Sequence, residues 1–277
     1  NQFLANIRET HAIAQVVRCF ENDDITHVSG KIDPLADIET IQTELALADL
    51  ETLEKSSFKL AKDAKRGDKS AQKKCEIQEK AKAHLNGGEP LRTLAFDDNE
   101  DRLALNNMQL LTTKPMLYIA NVDEEGFENN PYLEQVQTLA KSQNTPCVPI
   151  CASLEAELAE LSPEEQADFL ESLSLTEPGL NRVILAGYQL LGLQTYFTVG
   201  PKETRAWTIK HNSTAPQAAG EIHTDFEKGF IRAEVIAYTD YIQFNGEQGA
   251  KDAGKWRLEG KQYIVQEADI LLFRFNV

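Results

Sequence analysis

From Asp37 to Ala64 the chain runs without a glycine or proline, and Ile38, Ile41, Leu45, Leu47, Leu50, Leu53, Phe58 and Leu60 recur at helical intervals. Gly67-Asp68 interrupts that run. A second, lysine-rich helical stretch continues to about Leu85 and is stopped by Gly87-Gly88. Two long helices joined by a short turn form an antiparallel hairpin that projects from a compact domain. Whatever surrounds residues 37–89 must therefore tolerate a helical, coiled-coil-like insertion.

The flanks alternate strand and helix. Gln2–Glu9 has an amphipathic helical pattern, and the largely apolar, β-branched run Ile13–Phe20 reads as a central strand. Beyond the hairpin come a helix over Glu100–Leu111, a strand over Pro115–Ala120, a helix over Tyr132–Lys141 and a strand over Pro146–Ala152. Helices are then expected over Leu154–Leu161, Glu164–Leu173 and Leu180–Leu193; Ser162-Pro-Glu-Glu165 supplies an N-cap, a first-turn proline and a reciprocal glutamate. Such alternation predicts a mostly parallel α/β sheet. After Leu193 the pattern changes to short strands over Tyr196–Val199, Thr204–Ile209, Phe230–Ala237, Lys261–Val265 and Ile270–Phe275. Short helices over Ala215–Ile222 and Asp240–Phe244 fall between them, so a separate α+β module is expected. The expected domains are 1–36 with 90–192, the hairpin 37–89, and the module 193–277.

At 277 residues, 42% hydrophobic and 26% charged, the chain can bury a full core. It has no apolar run of membrane-spanning length, and no membrane partner is expected. It opens at Asn1 on half of an α/β unit, without Met or a signal-type segment, and is expected to be a fragment of a longer cytoplasmic protein. Cys19, Cys75, Cys147 and Cys151 lack metal-ligand spacing and read as core thiols of a reducing compartment. The formal net charge of −16 argues against general nucleic-acid binding until it is divided. Lys55–Lys82 holds ten Lys or Arg against four Asp or Glu, whereas Leu193–Val277 holds ten against eleven. Screening confines contacts to local fields, so the basic hairpin outweighs the total. Lys65, Arg66, Lys69, Lys73 and Lys74 are the candidate polyanion contacts, although a solvated arm would look the same.

Chemistry-bearing motifs are few. A phosphate cradle needs Gly-x-x-x-x-Gly-Lys-Ser/Thr between strand and helix. The lookalike Gly67-Asp-Lys-Ser70 lacks the first glycine and joins two helices. No Ser-His-Asp or His-Glu-x-x-His pattern occurs, the five histidines show no ligand spacing, and His223 beside Asp225 reads as a turn contact. What remains is the loop opened by Asn121, together with Cys151-Ala152-Ser153. Both follow adjacent strands, where parallel sheets bind ligands; either could equally be a plain turn.

Denser strings resemble the YchF/Obg-like ATPase family of translation-factor P-loop proteins. They are Phe3-Leu-Ala-Asn-Ile-Arg8, Val17-Arg-Cys-Phe-Glu-Asn-Asp-Asp24, His27-Val-Ser-Gly-Lys-Ile-Asp-Pro34 and Lys114-Pro-Met-Leu-Tyr-Ile-Ala-Asn121. In the terminal module they are Arg205-Ala-Trp207, Ile222-His-Thr-Asp-Phe-Glu-Lys-Gly-Phe-Ile231 and Ala253-Gly-Lys-Trp256. The resemblance spans nearly the whole chain. It implies a partial P-loop NTPase domain of Rossmann-like α/β fold with a helical-hairpin insertion, followed by an α+β β-grasp (TGS) domain. One departure is Glu267-Ala-Asp269, where similar proteins show Asp-Gly-Asp. The other is the absence of the P-loop and switch segments, which the family carries ahead of the position matching Asn1.

The resemblance implies an ATP-preferring nucleotidase associated with the ribosome or another RNA-bearing complex, with no DNA partner. ATP (or GTP) with Mg²⁺ would be used by the full-length protein, its metal ligands lying outside this chain. This chain alone is expected to be inactive, and no catalytic residue is assigned to it. Relatives of P-loop nucleotidases that read guanine use Asn-Lys-x-Asp, whose Asp accepts from the N1–H and 2-amino groups. Here Val122 replaces the Lys and Glu124 the Asp, which relaxes the demand for guanine. Asn121 would bond the purine N7 or 6-amino edge, Val122 would offer apolar contact, and N–H groups near Ala152 and Ser153 would face the six-position. Phe20 is a further candidate beside the base, or else a core aromatic. The alternative is a non-enzymatic module that docks on RNA, the ribosome or a protein.

Overall fold

The computed structural model describes residues 2–22, 31–173 and 175–276, so His27 and the first half of the 27–34 motif lie outside the described residues. The chain divides into two units, Asn1–Leu190 and Leu191–Val277.

In the first unit α1 (Gln2–Glu9) leads into β1 (Ile13–Arg18), and the hairpin follows as α2 (Pro34–Lys65) and α3 (Lys69–Asn86). Asp33 caps α2 by accepting from Ala36 N–H, and Pro34 occupies the first turn, where a missing N–H is harmless. The turn is built by Gly67 at φ +91° and by Asp68, whose carboxylate accepts from Ser70 N–H (2.8 Å) and Ala71 N–H (3.2 Å). At the hairpin base Leu53, Ile77, Ala81 and Leu85 pack with Leu91, Leu105 and Leu110 of the returning chain.

The chain continues through α4 (Asn99–Asn106), β2 (Met116–Asn121), α5 (Pro131–Ser142), β3 (Cys147–Ile150), α6 (Ala152–Glu160), α7 (Pro163–Ser172) and α8 (Gly179–Leu191). The three strands form a parallel sheet in the order β1-β2-β3. The capping box expected at Ser162 and Glu165 is present. β1, expected to be central, is an edge strand among the described residues; it pairs with β2 alone and leaves Val16 64% exposed. β3 stops at Ile150 rather than Ala152, because Cys151 already caps α6 and Ala152 begins it.

A carboxylate ties α2 to the sheet side. Asp49, fully buried, accepts from Leu111 N–H (2.8 Å) and from Thr112 N–H and Oγ1 (both 2.7 Å). Arg8 of α1 approaches the same carboxylate at 3.5 Å and also donates to Thr52 Oγ1 at 2.9 Å.

The second unit contains β4 (Leu193–Val199), β5 (Thr204–Lys210), α9 (Ala215–Ile222), α10 (Thr224–Lys228), β6 (Phe230–Ile236), α11 (Tyr238–Gln243), α12 (Glu247–Asp252), β7 (Arg257–Glu259) and β8 (Ile270–Phe275). Its five-stranded mixed sheet runs β5-β4-β8-β6-β7, with β4 and β8 parallel and the other pairs antiparallel. Tyr196, Ile209, Val235, Leu271 and Phe273 form the core against the alanines of α9. Lys261–Val265, expected as a strand, is none. Its polar groups are taken elsewhere: Val265 O accepts from Gln194, Tyr263 OH donates to Asp269, and a single bridge joins Ile264 to Thr214. The strand of that region is Arg257–Glu259, and α10 and α12 are further helices not read from the sequence.

Candidate functional site

The carboxyl ends of β1 and β2 and the start of α6 enclose a cavity of about 590 Å³. Its floor is set by the parallel ladder: Cys19 N–H donates to Asn121 O and Val122 N–H to Ile150 O, both at 2.8 Å. Asn121 and the Ala152–Ser153 pair, separated by 31 residues in sequence, meet here because β2 and β3 are adjacent and parallel.

The central contact is between Ala152 N–H and Asn121 Oδ1 at 3.0 Å. An amide oxygen is the acceptor in that bond, so the orientation of the Asn121 side chain is set, and its NH₂ is left as the donor. The six-position donor expected from Ala152 N–H is therefore already used, which leaves Ser153 as the polar group of that pair lining the cavity. Ser153 Oγ lies 3.1 Å from the sulfur of Cys151, which is buried beneath it. The N-terminus of α6 adds a positive partial charge on this side.

Val122 lines the cavity yet is only 2% exposed and belongs to the core beneath it. The apolar contact expected from its side chain is thus a contribution to the floor rather than a free face. Phe20 is half-buried at the wall instead of in the core; the Arg18 guanidinium sits 4.8 Å from its ring centroid, and Arg18 Nε donates to Phe20 O. Glu124 lies on an exposed turn closed by Gly126 N–H donating to Asp123 O. Glu21, Asn22, Asp123 and Glu125 complete the wall, giving it a markedly acidic rim. The Glu21 carboxylate accepts from Tyr132 OH at 2.7 Å, a bond that pushes the phenol's pKa up.

Asn130 organises the rim and was not read as a site residue. Its Nδ2 donates to Cys19 O (2.8 Å) and Gly126 O (3.0 Å), while its Oδ1 accepts from Tyr132 and Leu133 N–H at the start of α5. The signal available was Asn130-Pro131, an N-cap followed by a first-turn proline. Gly126 lets the turn close tightly there: a Cβ would stand 3.0 Å from Asn130 Nδ2 and 3.1 Å from Val122 Cβ, and would push the exposed Asp123 carboxylate aside.

The hairpin residues are not brought near this cavity's lining. Lys65, Arg66, Lys69, Lys73 and Lys74 are all exposed around the hairpin tip. Two of them are engaged: Lys73 pairs with the Asp101 carboxylate at 2.9 Å, and Arg66 with Asp63 at 3.6 Å. The Asp101 bond raises the Lys73 pKa. His223 behaves as expected of a turn contact, accepting from Asp225 N–H. All four cysteines are free thiols.

These features define an α/β protein whose first unit has a parallel sheet, a cavity at the strand ends and a long helical hairpin inserted between β1 and β2. Comparison with known proteins narrows that class. The family model YchF-GTPase_C, described as a protein of unknown function (DUF933), matches residues 193–276. The chain is 61% identical over 277 residues to the ribosome-binding ATPase YchF of Haemophilus influenzae, covering all of this chain and 76% of that protein. It is 49% identical over 280 residues to the protein of the same name from Bacillus subtilis, again covering all of this chain and 76% of that one. The solved structure of the Schizosaccharomyces pombe YchF GTPase superposes with a TM-score of 0.86 at 34% identity, over 99% of this chain and 75% of that one. The chain belongs to the YchF family.

Proposed function

We propose that this chain supplies the purine-binding side of a ribosome-associated, ATP-preferring nucleotidase. The observation that carries the reading is the Ala152 N–H···Oδ1 Asn121 bond, which leaves the Asn121 NH₂ to donate to a purine N7. Adenine presents N7 as an acceptor but has no N1–H, so a site without a fixed carboxylate in the plane of the base has no reason to favour guanine. The exposed position of Glu124 on its turn supports that preference. The names of the relatives, ribosome-binding ATPases, support the wider activity and the partner. We assign 1–36 with 90–192 to the nucleotide-binding domain, 37–89 to the RNA- or ribosome-contacting hairpin, and 193–277 to a TGS-like β-grasp domain.

Mg²⁺ would accompany the nucleotide's phosphates. Among the described residues no three His, Cys, Asp or Glu side chains converge as metal ligands. The 277 residues contain no Gly-x-x-x-x-Gly-Lys-Ser/Thr. The purified chain is accordingly expected to release no phosphate from ATP above a buffer control.

Adenosine and guanosine, lacking phosphates, test the base end alone. Titrated into the ¹⁵N-labelled chain, adenosine should shift the Asn121, Ala152 and Ser153 resonances at least as strongly as guanosine does. Asn121→Asp keeps the acceptor for Ala152 N–H but loses the NH₂, and should abolish those shifts with the loop intact. A clear guanosine preference, or shifts that survive Asn121→Asp, would show that the loop is read wrongly.

A further inference from the structure

Along α2 the charge reverses sign at one point. From Pro34 to Glu54 the helix carries six acidic residues and no lysine or arginine; from Lys55 to Lys65 it carries four lysines against Asp63 alone. Just past the reversal stands Phe58, 84% exposed. Lys55 lies three residues before it and Lys62 four after it, on the same helix face. Lys62 and Lys65 are exposed and make no ion pair among the described residues, whereas Lys55 is engaged by Glu51.

The inner side of the hairpin shows why this aromatic is not part of a core. Above the apolar base the seam closes with a polar layer, in which Gln78 Nε2 donates to Ser56 Oγ and Lys82 Nζ to Ser57 Oγ, both at 2.8 Å. Phe58 follows Ser56 by two positions, about 200° around the helix, and so projects from the opposite side. One exposed apolar side chain is ordinary, and so is one solvated basic face. An exposed π-face placed where a helix turns from acidic to basic is a more specific arrangement. A phosphate chain would be attracted to the basic end and repelled from the acidic stretch, so the aromatic stands where the inner edge of a polyanion's footprint would fall.

We propose that the distal hairpin binds unpaired RNA, with an unstacked base on the Phe58 ring and neighbouring phosphates on Lys62 and Lys65. The proposal rests on the hairpin being the RNA-contacting arm and adds its ligand class: single-stranded or looped segments, since a duplex presents no free base face.

The test is fluorescence anisotropy of the 277-residue chain with labelled oligoadenylate and with a blunt RNA duplex of equal charge. Phe58→Ala should weaken oligoadenylate binding about 5- to 100-fold, leave the duplex unchanged and keep the same salt slope, whereas Phe58→Trp should retain affinity. The paired change Lys62→Glu and Lys65→Glu should weaken both probes and flatten the slope. Phe58 is exposed, so circular dichroism should show the variants folded. If only the lysine changes matter, stacking is overturned and the arm reading stands; if no change matters, both fall. Loss of ribosome binding by Phe58→Ala with every RNA unaffected would make the contact a protein one and overturn the proposal.

Discussion

Replacing Asp49 with alanine should destabilise the first unit far more than its single methylene and carboxyl suggest. The carboxylate satisfies two backbone N–H groups and one hydroxyl at 2.7–2.8 Å, all in a fully buried position. Each orphaned buried donor costs about 1–3 kcal/mol, and the Thr112 hydroxyl is free to turn elsewhere. Arg8 keeps its bonds to Ala48 O, Thr52 Oγ1 and Gln109 O, so its charge is not stranded. The sum is about 2–6 kcal/mol, or roughly 4–24 °C for a unit of this size. Asp49→Asn should cost nearly as much, because its NH₂ would face the donors of Leu111 or Thr112. Both tryptophans, Trp207 and Trp256, belong to the second unit, so their fluorescence reports on that unit from within. The expected signature is a lowered helical transition by circular dichroism at 222 nm with a smaller or absent shift in the tryptophan transition. A cost below about 1 kcal/mol in the helical transition would refute the reasoning.

Ala268 sits at φ +62°, in the left-handed region that favours glycine; Ala268→Gly should raise the tryptophan-monitored stability by about 0.5–1 kcal/mol, and an unchanged or lowered midpoint would count against that. Burial pushes the Cys19 thiol from 9.0 up to about 12 and the Cys147 thiol to about 11. Folded pKa values above the unfolded ones mean that the unfolded chain sheds protons first, so stability should fall as pH rises from 9.0 toward 12. Cys19→Ala should make that fall shallower in urea titrations, and an identical slope would exclude the thiol as its source. Reversing Lys65, Lys69 and Lys74 to Glu should weaken RNA binding and flatten its salt dependence without loss of stability. Lys73→Glu should in addition destabilise the hairpin, since it sets a carboxylate against the largely buried Asp101; thermal melts of the single variants separate the two effects.

Much of the fold was legible because periodicity and punctuation agreed. The hairpin follows from an uninterrupted helical pattern and from Gly67-Asp68, which supplies both a positive φ and a cap. The Asn121 loop and the Ala152–Ser153 turn could be placed together because parallel order puts successive strand ends side by side. The rest depended on three-dimensional partners. Whether β1 was central or at an edge turns on what lies beyond it, which no pattern within Ile13–Arg18 encodes. Lys261–Val265 has a strand's composition, but its backbone bonds go to the turn at Ser213–Ala215 and to Gln194 instead of a neighbouring strand. Val122 reads as a free apolar contact in one dimension and is a core residue in three. Asn130 was missed because its sequence signal announces only a helix start, while its second amide face serves β1 and the cavity rim.

The segregation of charge along α2 also governs how the molecule would meet a polyanion. Acids at the helix start and lysines at its end both favour the helix's own dipole, so the hairpin is stabilised by the same arrangement that polarises it. With 32 residues the helix spans about 48 Å, several screening lengths, and its two ends act as separate poles. A phosphate-rich surface would repel the acidic stretch of this helix and attract its lysine-rich end, turning the hairpin tip-first before any contact forms. Encounter should then be fast, oriented and strongly slowed by salt, even where the final affinity is modest.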